Sequence, residues 1–147
     1  TGTREGRQAM KILGWIVIAS HLLLSIGALA AGYACMQEPM GPIGAPITLL
    51  EGSPFLSFFL PGLFLFTVIG LGNLVSAFLL AKFSLLGKLC SMGMGFIMML
   101  WIIIQCSIIK DIVALHVITF ALGLLQLFYS LILLIRNGDL RYLLSEL

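Results

Sequence analysis

Four apolar runs of about 20 residues each leave this chain few folds to adopt. They fall at residues 12–34, 54–81, 89–109 and 112–135, parted by polar or turn-rich links. Such a run, as a helix, crosses roughly 30 Å of hydrocarbon. Only helices and closed barrels satisfy their backbone polar groups there. The 147 residues are 61% hydrophobic and 10% charged, with a mean hydropathy of +1.16. Soluble domains carry about 25% charged residues, so the polar groups are too few to cover a water-soluble globule. A soluble alternative would have to bury four very long helices that are apolar all round. The expected fold is an all-α membrane protein: a single domain over residues 1–147, a four-transmembrane-helix bundle with up-down-up-down topology. The first run exceeds the 7–15-residue core of a signal peptide, so it is expected to be a retained span.

Charge orients the bundle. With the termini on one side, Arg4, Arg7, Lys11, Lys82, Lys88, Arg136 and Arg141 gather there, and Lys110 alone lies opposite. Glu38, Glu51 and Asp111 join Lys110. Positive loops stay cytoplasmic, so both termini are expected inside, in the plasma membrane. The net charge of +2 gives no reason to expect a nucleic-acid partner. The inner basic residues suit anionic lipid heads, and the lipid bilayer is the first partner implied.

Along the chain, residues 1–8 either fray or run into the first helix. Trp15 and Tyr33 fall where interfacial aromatic rings prefer to lie. Between them, Gly27-x3-Ala31 and Ala28-x3-Gly32 form small-residue faces that allow close helix approach. His21 is an intramembrane ionisable residue; a hydrogen bond to a neighbouring helix is the plainer role, and a proton carrier the functional one. The outer loop, residues 36–53, holds Pro39, Gly41, Pro42, Gly44 and Pro46, which forbid a regular helix. Its apolar middle, residues 43–50, is expected to lie on the membrane surface or to cap the bundle. Ser53-Pro54 reads as an N-cap followed by a first-turn proline. Glu51, just ahead, is either a capping or loop-fixing carboxylate near that helix start or a ligand-binding group.

Pro61, read two turns inside the second span, should kink it and free the Ser57 carbonyl. Asn73 lies in a small polar patch with Gly70, Gly72 and Ser76, and is expected to bond a neighbouring helix. The third span carries a Gly87, Ser91, Gly95 stripe flanked by Met92, Met94, Met98 and Met99 as adaptable filler. Trp101 lies mid-span and needs an acceptor for its indole N–H; Gln105 follows one turn later. Lys110-Asp111 is a tight hairpin, His116 opens the fourth span and Gln126 lies near its middle. Asn137-Gly138 reads as a left-handed C-cap, and residues 139–147 as a cytoplasmic amphipathic tail.

No catalytic motif emerges. There is no P-loop, His-Glu-x-x-His or Gly-x-Ser-x-Gly. Cys35, Cys90 and Cys106 contain no Cys-x-x-Cys, although Cys35 and Cys106 both lie near the outer face, where a disulfide is geometrically feasible. Two histidines and scattered acids specify no metal site, and no cofactor is implied.

The order of parts nevertheless resembles small four-span bacterial integral membrane proteins of unassigned function. The residues that carry it are Leu50, Gly52, Ser53, Pro54 and Phe55, then Pro61-Gly62, then Trp101 and Gln105. That resemblance implies a four-helix fold in a bacterial inner membrane, and carries no active residue across.

Two functions are expected. The first is a non-enzymatic bundle that self-associates or serves as an accessory subunit, which the small-residue stripes favour; its partner is a second copy or another membrane protein. The second is binding or transport of a small lipophilic molecule in an outer-leaflet pocket near the Pro61 kink, lined by Glu51, Trp101, Gln105 and His116. A membrane enzyme is disfavoured for want of a nucleophile–base pair.

Overall fold

A computed structural model describes residues 3–82 and 84–145. It holds five helices and, among those residues, no strand. We number them α1 (Arg4–Gln37), α2 (Phe59–Ala81), α3 (Leu85–Ile109), α4 (Ala114–Arg136) and α5 (Asp139–Ser145). The first four are long and apolar enough to cross a membrane. Their outward faces carry Leu23, Ile26, Phe78, Phe96 and Ile118, all exposed. That apolar surface is what a hydrocarbon environment accepts and water does not.

Helix ends follow local chemistry. Thr3 caps α1, its Oγ1 accepting from the Gly6 N–H at 3.2 Å, so the helix begins at Arg4 and takes in most of the polar leader. Its 34 residues span about 51 Å at 1.5 Å per residue, well beyond a bilayer core. Ser84 caps α3 by accepting from the Gly87 N–H at 3.0 Å. Lys110 closes α3 in the left-handed region at φ 58°, and Gly138 ends α4 at φ 75°. The glycine was legible in advance; the lysine takes a conformation that only a minority of non-glycine residues adopt. The tail helix expected after Gly138 forms as α5.

The second span starts later than its Ser-Pro signal suggests, at Phe59 rather than near residue 54. The Ser53 hydroxyl accepts from the Phe55 N–H at 3.2 Å, making a local turn, and Gly52 sits at φ 82°. The Phe58 N–H reaches back across the loop to the Pro39 carbonyl at 2.8 Å. These bonds occupy the groups that a helix begun at Pro54 would use. Glu51 therefore lies outside any helix N-terminus, and its expected capping role there is not realised.

Pro61 falls in the first turn of α2, where its missing N–H has no partner to lose. The Ser57 carbonyl precedes the helix, and the Ser57 hydroxyl accepts from the Phe59 N–H at 3.4 Å instead. The irregularity of α2 lies deeper, as a widened π-helical stretch over Leu65–Leu71. Such stretches are rare and often accompany functional sites. This one faces α1, where Gly32 approaches so closely that an added Cβ would stand 2.6 Å from the Phe66 nitrogen.

Small residues set the other crossings too. A Cβ on Gly95 in α3 would lie 2.5 Å from the Gly123 carbonyl oxygen in α4. Ala28, Gly32, Gly87, Ser91 and Gly95 all turn inward, whereas Gly27 faces outward with open space around it. Two apolar clusters fill the bundle, one around Leu24, Ile69, Met98 and Trp101, the other around Val17, Leu80 and Tyr129. Lys88, buried near the start of α3, pairs with Asp139 at the start of α5.

Candidate functional site

Polar side chains meet at the centre of the bundle. Asn73 of α2 donates through Nδ2 to the Ile69 carbonyl at 2.8 Å, which turns its Oδ1 toward α1. His21 Nδ1 lies 2.6 Å from that oxygen, and its Nε2 lies 2.8 Å from Ser91 Oγ of α3. An amide oxygen only accepts, so Nδ1 carries a proton, and a neutral ring in this tautomer satisfies both nitrogens. Gln126 of α4 donates to Ser20 Oγ at 3.2 Å and lies 3.5 Å from Asn73 Oδ1. His21, Asn73 and Gln126 are each fully buried. The three intramembrane polar residues read from sequence thus form one network that joins all four long helices.

Both ring nitrogens of His21 are engaged in hydrogen bonds. None of the network's members is exposed, and interhelical hydrogen bonds of this kind are worth about 0.6 kcal/mol on average in membranes. Ser91 was missed as His21's partner because it reads as one more small residue in a glycine stripe.

A different kind of site lies under the loop. The loop folds as two 3₁₀ turns, Pro42–Gly44 and Ile47–Leu50, the second packed against α3. Pro42 and Leu50 are buried beneath it, as the capping expectation requires. Between this roof and α1, α2 and α3 lies a cavity of about 430 Å³. Ala31 and Cys35 of α1, Pro61 and Leu65 of α2, and Trp101 and Gln105 of α3 form its walls. Ile43 stands at the roof, 81% exposed and at φ 52°. A β-branched residue in the left-handed region is strained.

Trp101 and Gln105 share that cavity with Pro61, as the sequence spacing anticipates. Glu51 and His116 do not line it. Glu51 is exposed after the second 3₁₀ turn, while His116 lines a separate groove between α3 and α4. Trp101 packs on Phe64, ring centroids 4.6 Å apart, but its buried indole N–H has no acceptor. The expected packing is present and the expected hydrogen bond is not. Cys35, Cys90 and Cys106 are free thiols, so no disulfide joins Cys35 to Cys106. Among the described residues, no group of three His, Cys, Asp or Glu side chains is placed to hold a metal.

Comparison with protein-family models, curated proteins and solved structures returns no match.

Proposed function

We propose that this chain is a membrane-embedded binding protein, a four-span bundle that holds a small lipophilic molecule beneath its outer loop. One observation carries the reading: an apolar cavity of about 430 Å³, roofed by an ordered loop, with the Gln105 amide in its wall. Pockets for drug-sized ligands range over roughly 300–1,000 Å³, mostly apolar with a few polar groups that fix orientation. A ligand with an apolar body and one hydrogen-bonding group matches those walls.

The topology in this reading is up-down-up-down, with both termini cytoplasmic. Seven of the eight basic residues on one side support it, with Lys110 alone on the loop side. A bacterial inner membrane is the setting the family resemblance implies. The self-associating or accessory-subunit reading drew on small-residue stripes, most of which serve packing within the chain, while Gly27 faces outward. Ala28, Gly32, Gly87, Ser91 and Gly95 face neighbouring helices, so the binding reading, which has a lined cavity behind it, is preferred.

Trp15 and Trp101 are the only tryptophans, which makes a clean test. In Trp15→Phe protein, a brominated C16 fatty acid should quench Trp101 saturably. Filling the cavity with Ala31→Phe should abolish that saturable component. Quenching that rises linearly with probe in both proteins would overturn the proposal.

A further inference from the structure

A second site stands on the other side of α3. The groove between the end of α3 and the start of α4 encloses about 610 Å³ and opens outward. Its lower walls are apolar: Ile103, Val117 and Phe120, the first two more than half exposed. Its upper rim is polar, with Lys110, Asp111 and His116.

Each rim group has bonding capacity left over. The His116 ring is about nine-tenths buried, and its Nδ1 accepts from the Val113 N–H at 3.3 Å. The ring proton then resides on Nε2, for which the described residues offer no acceptor. Asp111 uses Oδ1 to accept from the Ile112 N–H at 2.8 Å, and its Oδ2 is unengaged. Lys110 is exposed and makes no ion pair with Asp111, the one ion pair among the described residues being Lys88–Asp139. A cation, an anion and a ring donor thus border one groove without neutralising each other.

We propose that this groove binds a bilayer phospholipid with a primary-amine head, of the phosphatidylethanolamine class. The Lys110 ammonium and the His116 Nε2–H donate to the phosphate, and Asp111 Oδ2 accepts from the lipid ammonium. An acyl chain runs down over Ile103, Val117 and Phe120. Charge complementarity selects this head over others. A choline head presents methyl groups that Asp111 cannot hydrogen-bond, and a glycerol head offers no cation to pair with it. The loop-side cavity plays no part, so either site can fail without the other.

Native mass spectrometry of delipidated protein tests the assignment, using phosphatidylethanolamine, phosphatidylcholine and phosphatidylglycerol with identical acyl chains. Wild type should retain the ethanolamine lipid about fivefold better than the other two. Lys110→Gln should weaken retention of all three lipids by about tenfold. Asp111→Asn should remove the ethanolamine preference while keeping phosphate-dependent binding. Both residues are exposed, and unchanged melting curves should show that the fold persists. Glycerophosphoethanolamine, the same head without chains, should fail to displace bound lipid at a hundredfold excess. Equal retention of the three lipids by wild type, or variants indistinguishable from it, would reduce the groove to ordinary annular lipid contact. Displacement by the chainless head would overturn its assignment to a lipid.

Discussion

The mid-bundle network and the loop-side cavity are both built where α1, α2 and α3 converge, yet they treat polar groups differently: in the network every side chain finds at least one partner, although Gln126 Oε1 has none. At mid-bundle, His21, Asn73, Ser91 and Gln126 face one another across all four long helices. Under the loop, Gln105 lines the cavity, and the Trp101 indole N–H is buried without an acceptor. A polar group in hydrocarbon that finds partners holds a fold together. One that lines a mainly apolar cavity is placed to meet a ligand's polar group. The difference separates architecture from candidate function more cleanly than residue type does, since a histidine and a glutamine occur in both halves of the molecule.

Substitutions can break that contrast. The largest effect should come from Gly95→Leu, because even a Cβ there stands 2.5 Å from the Gly123 carbonyl. Prising α3 from α4 should cost about 3 kcal/mol in detergent unfolding and release the network with it. Asn73→Leu should cost about 2 kcal/mol, since it leaves His21 Nδ1 buried without a partner. Were it neutral, the network would not be what ties the bundle. Gln105→Leu should leave stability within about 0.5 kcal/mol of wild type and weaken a hydrogen-bonding lipophilic probe by about fivefold. A loss of stability matching that of Asn73→Leu would erase the distinction between the two regions. The smallest effect belongs to Ile43→Gly at the cavity roof. Relief of the left-handed strain, partly offset by glycine's greater freedom when unfolded, should raise stability by about 0.5 kcal/mol.

Much of the architecture was legible from residues alone, and the reasons differ by region. The four spans stood out because their length and apolarity admit few other structures. His21, Asn73 and Gln126 stood out because polar atoms in hydrocarbon demand partners. Which partners they would find was not legible, because helix spacing fixes a face within one helix but not the rotation of one helix against another. The same gap joined Glu51 and His116 to Trp101 and Gln105, when only the last two share a wall. Ser53-Pro54 misled for another reason. A local start signal competes with bonds from distant chain, and here the Phe58 N–H goes to the Pro39 carbonyl instead. Pro61 shifted with it, from a kink within the helix to its first turn.

The ion pair at the far end of the molecule sets an order of events during synthesis. Lys88 is buried, and the carboxylate that pairs with it, Asp139, is made 51 residues later. Until those residues leave the ribosome, the ammonium must stay hydrated, and the start of α3 cannot settle into its final place. A protein shortened to end at Arg136 would hold all four long helices and still lack the latch. Its α2–α3 link should be more open to protease than that of the full chain.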